Sequence, residues 1–168
     1  MIPVIKKILY TTDLSKNSAH AFRYAVALAK KFDAEIVILH VVEELSENVR
    51  VLLGADVIKK RINGMQIKEA ERIKERLKRF CNREFKGDRE CVDRVVTIDV
   101  RQGYPEEEIL TKAEEMDCDA IVMGTHGKGM VTHAFLGSVA ERVLRRITRP
   151  AFVIPLPKGD HDLTVHDV

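Results

Sequence analysis

Two rhythms of hydrophobic positions alternate along this chain. Short, nearly unbroken apolar runs occupy residues 7–11, 36–42, 94–100, 120–123 and 151–154. Unbroken rather than alternating runs are what a parallel strand shows when helices cover both of its faces. Between them lie segments whose apolar residues recur every three or four positions, the signature of a helix with one buried stripe. The first starts after Thr12 and Asp13, with Ser15 or Asn17 as its cap, and carries Ala21, Ala25, Leu28, Ala29 and Phe32. After an irregular stretch from Glu43 to Asp56, a long charged segment keeps Ile58, Ile62, Met65, Ile73, Leu77 and Phe80 at roughly helical spacing, with Gly64 as a point of bending or interruption.

The later elements carry clearer end signals. Gly87 and Asp88 mark a turn before the third strand. Pro105 opens a helix whose first turn holds Glu106, Glu107 and Glu108, where carboxylates oppose the positive end of the helix dipole. Ile109, Ala113 and Met116 form its inner face. The fourth strand runs into Gly124, a loop follows to about Gly137, and Ser138 begins a helix to Ile147 with Arg142, Arg145 and Arg146 toward its negative end. Strands alternating with helices in this way predict an α/β fold, a doubly wound parallel sheet of five strands with right-handed crossovers and helices on both faces.

A length of 168 residues suits one domain, expected over residues 1–157, with residues 158–168 as a polar C-terminal tail. Only 5% of residues are aromatic and none is Trp, so the core is expected to be aliphatic. The net charge of +2, from 28 basic and 26 acidic residues, lacks the basic excess of a nucleic-acid binder. No apolar run approaches the length of a membrane span, and residues 1–7 do not have the order of a secretory signal. Three cysteines, Cys81, Cys91 and Cys118, without CxxC spacing, argue against a disulfide framework or zinc site and for a cytoplasmic location.

Ligands of such sheets settle outside the carboxyl ends of the strands, where the strand order reverses. Two strand ends here carry suitable chemistry: Asp13 after the first, and Gly124-Thr125-His126-Gly127-Lys128-Gly129 after the fourth. Glycines let backbone approach a ligand closely. Gly137 and Ser138 stand at a helix N-terminus, whose unpaired amides attract phosphate, and the Ser138 hydroxyl has both capping and phosphate contact open to it.

Gly124, two residues, Gly127, nine residues, then Gly137-Ser138 resembles the loop signature of the ATP-binding subgroup of the universal stress protein family. The opening strand ending in Asp13, the second ending near His40-Val41, Gly103-x-Pro105 and Arg149-Pro150 before the last strand carry the resemblance from Lys6 to Pro157. It implies the adenine nucleotide alpha-hydrolase-like sheet order 3-2-1-4-5, which brings Asp13 and Gly124 to one crevice. It also implies ATP or AMP as ligand. Thr12 and Val41 would line the adenine pocket, Asp13 would meet the ribose or a metal, and Gly124, Thr125, His126 and Gly127 would follow the ribose and first phosphates. Gly137, Ser138 and Val139 would hold phosphate oxygens, with Mg2+ or Mn2+ bound through the phosphates. Family likeness further implies a homodimer through Ala151–Ile154, a stress-response role and a protein partner of unknown identity.

Other readings stand beside these. Asp13 has a second role open to it, capping the first helix or pairing with a lysine, while His126 and Lys128 read by default as solvated loop residues and His133 has no evident partner. His161, Asp162, His166 and Asp167 invite no more than adventitious metal binding. No G-x-x-x-x-G-K-[ST] loop and no paired carboxylates accompany the glycines, which favours a nucleotide-responsive switch over the alternatives, a slow ATPase and a dimer with a purely structural nucleotide.

Overall fold

The computed structural model describes residues 2–43, 55–84, 89–125 and 136–155. Strands β1 (Lys7–Thr12), β2 (Glu35–Glu43), β3 (Val95–Gly103), β4 (Ala120–Gly124) and β5 (Ala151–Ile154) form one sheet. The helices are α1 (Lys16–Phe32), α2 (Ala55–Glu84), α3 (Glu90–Asp93), α4 (Pro105–Glu115) and α5 (Ser138–Arg146). Every strand pairing is parallel, and the order is β3-β2-β1-β4-β5. The doubly wound fold and the 3-2-1-4-5 order expected of the chain are therefore both present.

Successive strand residues face opposite sides, so each strand feeds two cores. On one face Ile8, Tyr10, Ile36 and Ile38 meet Ala21, Phe22, Ala25 and Val26 of α1 and Ile73 and Leu77 of α2. On the other, Leu9, Val37, Leu39, Ile121 and Met123 meet Ile109 and Ala113 of α4 and Ala140 and Val143 of α5. The β1 edge that carries the site is thus clamped from both sides.

Several expectations are corrected. Ser15, and not Asn17, caps α1: its side chain accepts the Ser18 amide at 3.3 Å. The buried stripe of α1 turns toward Phe22 and Val26, leaving Phe32 40% exposed. Helix α2 runs unbroken through Gly64, where an added Cβ would meet only open space. Strand β3 runs on to Gly103 because its ladder with β2 continues to the pair Glu43 and Gly103. The short helix α3 was not expected. Cys91, fully buried on it, is disulfide-bonded, whereas the cysteine spacing pointed to reduced thiols. Cys118 is a free, fully buried core residue, and burial pushes its thiol up to about 11.

One ion-pair cluster ties β3 to α4. Asp99 Oδ2 accepts from Lys112 Nζ at 2.8 Å and from Arg101 Nε at 2.9 Å, and Lys112 is 6% exposed. Burial alone would raise the Asp99 carboxyl, but the bonds from Lys112 and Arg101 outweigh it and hold it below the usual carboxylate range. A folded pKa below the unfolded one gives stability that is present above about pH 4 and lost as pH falls through the lowered value. Asp99→Asn is expected to cost about 1–2 kcal/mol at pH 7 and progressively less as the pH falls from about 4 through the lowered folded value. Urea unfolding across that pH range checks this; an equal cost at both ends would contradict it.

A nucleotide-sized cleft at the carboxyl edge of the sheet

The carboxyl ends of β1, β2 and β4 open on a cleft of about 720 Å³, within the range of small-molecule sites. Strand β1 is the switch point: its chain continues to β2 on one side, while β4 pairs it on the other. Thr12, Asp13, Val41, Gly124, Thr125, Gly137, Ser138 and Val139 all line this one cleft. His126 and Gly127, also expected in the site, lie outside the described residues, as do Lys128, His133 and the tail from residue 156.

The turn after β1 is held by its own side chains. Thr12 Oγ1 accepts the Leu14 amide at 3.0 Å and donates to Ser18 Oγ at 2.9 Å, and Ser18 Oγ donates to the Ser15 carbonyl at 2.8 Å. Asp13 Oδ1 accepts the Ser15 amide at 3.0 Å. The alternative role considered for Asp13, as a partner of the first helix, is therefore present in part, while Ser15 is the cap proper. Leu14 sits at φ 62°, a left-handed conformation that costs an L-residue about 1–2 kcal/mol. The hydroxyl bonds on either side of it hold the turn and keep Asp13 at the cleft.

The opposite wall is the start of α5. Gly137 donates its amide to the Thr125 carbonyl at 2.7 Å, and Thr125 donates to Ile154 at 3.0 Å, so both ends of the glycine loop are pinned beside β5. Gly137 is the N-cap residue and makes no side-chain cap, so Ser138 is the first helical residue rather than the cap. The first helical bond is from the Glu141 amide to the Gly137 carbonyl at 2.9 Å. The amides of Ser138, Val139 and Ala140 consequently have no acceptor among the described residues, and all three residues line the cleft. Three free amides at the positive end of a helix are an anion site in waiting.

Residues that the motif did not bring forward complete the walls. His40, 8% exposed, has Nδ1 at 2.7 Å from the Thr12 carbonyl and joins the ends of β1 and β2. Met65, Glu69, Arg72 and Arg76 of α2 close the side opposite α5. Their spacing of four, three and four places them on one helical face, the signal by which sequence alone would find them.

The sequence model of the universal stress protein family matches residues 5–155. This chain belongs to that family. Universal stress protein MJ0577 of Methanocaldococcus jannaschii is 31% identical over 158 residues, covering 92% of this chain and 97% of that protein. The solved MJ0577 structure superposes with a TM-score of 0.69 at 26% identity, over 94% of this chain and 100% of that one. UspA of Lactobacillus plantarum superposes at 0.71 with 21% identity, over 91% and 99%, and shares the fold. A universal stress protein solved in complex with cAMP shares it at 0.52 with 17% identity, over 91% and 98%. Among the described residues no helix is long and apolar enough to cross a membrane, and no three His, Cys, Asp or Glu side chains group to hold a metal.

Proposed function

We propose that this universal stress protein binds ATP or AMP in the carboxyl-edge cleft and acts as a nucleotide-responsive switch. The observation that carries the reading is the row of amides at Ser138, Val139 and Ala140, without acceptors among the described residues, in the lining of the same hollow as Asp13 and Gly124. Phosphates accept from the amides and from the Ser138 hydroxyl. The Asp13 carboxylate accepts from ribose hydroxyls, and the edge at Thr12 and Val41 takes the base. His126 and Gly127 follow the first phosphates. Mg2+ or Mn2+ is held through phosphate oxygens and water, in keeping with a cleft that offers few clustered carboxylates. The cAMP complex of a universal stress protein supports the reading only in that a protein of the same fold holds an adenine nucleotide.

The switch lies in the segment from Gly124 to Gly137, whose two ends are fastened to each other and to β5. A ligand that binds one arrangement of it more tightly shifts its population, and a partner protein reads the change. β5 is an end strand of the sheet, and pairing of Ala151–Ile154 with its twin would make the homodimer and place the two switch segments next to the shared seam.

Protein purified without added ligand is expected to release an adenine nucleotide on denaturation, detected by chromatography. Calorimetry on stripped protein should then show ATP and AMP binding, weakened at least tenfold by Gly127→Val. No released nucleotide together with no heat of binding would end the reading. Steady phosphate release from ATP, lost in Asp13→Ala, would make the protein an ATPase instead.

A further inference from the structure

The α2 wall of the cleft carries a cation that the nucleotide reading leaves unused. Arg72 is held by Glu69 at 2.7 Å, and Arg79 approaches Glu75 at 3.8 Å. Arg76, between them, has neither a hydrogen bond nor an ion pair among the described residues. It lines the cleft and also a small apolar hollow that opens from it, floored by Phe22, Ile38, Ile73 and Leu77. Burial, then the like charge of Arg72, holds its guanidinium below the ordinary arginine value, against the opposing pull of Glu69. The Glu69 carboxylate that acts on it is already bonded to Arg72, so a half-buried guanidinium gains further compensation from an anion in the cleft.

Its place narrows which anion. Arg76 shares the small hollow with Thr12, Leu14 and Ser18, the turn that presents Asp13, and the charges of Asp13 and Arg76 both act on the buried Tyr10 hydroxyl. The 5′ phosphates belong at α5, on the other face of the sheet. Arg76 therefore stands on the cleft wall away from α5, beside the turn that carries Asp13 to the same cleft. A carboxylate there suits free ribose hydroxyls, and a neighbouring arginine suits a phosphate carried on one of them, as in other dinucleotide-type sites.

We propose that Arg76 binds a phosphate on the 2′- or 3′-oxygen of the ribose, so that the cleft prefers adenine nucleotides phosphorylated at both the 5′ position and a ribose hydroxyl. This rests on the proposed nucleotide function of the same cleft.

The test is calorimetry of the full chain with AMP, adenosine 2′,5′-bisphosphate and adenosine 3′,5′-bisphosphate. At least one bisphosphate is expected to bind about tenfold or more tightly than AMP, the scale of a hydrogen bond to a charged group. Arg76→Gln should bring that ratio to about one. Arg79→Gln removes the same charge from the same helix away from the cleft lining and should leave the ratio in place. Equal affinity for AMP and both bisphosphates would overturn the proposal and leave the nucleotide function standing. Equal loss of the ratio in both variants would also overturn it, by showing a diffuse effect of charge. Failure of all three ligands to bind would overturn the proposal, and failure of ATP in the same calorimeter as well would end the nucleotide function.

Discussion

Ser138→Asp is expected to weaken AMP and ATP binding at least about a hundredfold while leaving thermal stability unchanged or slightly raised. The two effects come from one charge. Ser138 is the first residue of α5, and it lines the cleft with Val139 and Ala140, whose amides like its own have no acceptor among the described residues. A carboxylate at that position interacts favourably with the helix dipole, by about 0.3–1 kcal/mol. The same carboxylate competes for the amides and repels an incoming phosphate. Juxtaposed like charges cost several kcal/mol at a binding surface, and each 1.4 kcal/mol is about a tenfold change. Calorimetry with AMP and ATP reads the first effect and differential scanning calorimetry of the free protein the second. Retained affinity would show that phosphates do not sit at α5. Lost affinity with a fall in melting temperature of several degrees would show damage to the fold rather than to the site.

Leu9→Ala carries the largest expected cost in stability. Leu9 is fully buried on the central strand, in register with Val37 on β2 and with Ile121 on β4, and all three belong to the core beneath α4 and α5. Large-to-small substitutions at such positions cost about 2–5 kcal/mol, because a strand flanked on both sides has little room to collapse into the cavity. In a chain of this size that corresponds to a melting temperature lower by roughly 5–15 °C. Leu9→Met, which nearly conserves volume, should cost less than about 1.5 kcal/mol. Denaturant unfolding of both variants checks the difference. A loss below about 1 kcal/mol for Leu9→Ala would mean that the core on this face is much looser than its burial indicates.

How much of this was legible beforehand differs from one part of the chain to another. Runs such as 36–42 declare themselves because a strand covered on both faces has no polar side to show, and the helix at Pro105 because proline and three glutamates mark its start. The extent of β3 was hidden: Arg101 and Gln102 read as the end of a strand, and only the ladder to Val41 and Val42 carries them into the sheet. Ser138 illustrates a finer miss. A serine at a helix start is the better cap by propensity, yet the extended Gly137, tied to Thr125 through its amide and accepting the Glu141 amide at its carbonyl, is the cap, and Ser138 is the first helical residue. Helix α2 was legible as a helix, but its arginines looked alike, since pairing with Glu69 or Glu75 is decided by side-chain geometry and not by spacing alone.

By itself, then, the sequence determined the element types, their parallel arrangement and the glycine-serine spacing that marks the loop, because these depend on local periodicity and on backbone freedom. Tertiary structure decided which carboxyl ends meet, that α2 walls the cleft with Arg76, and that three amides of α5 find no acceptor among the described residues. Those properties depend on distances between residues far apart along the chain, which strand order and packing set and no local pattern encodes.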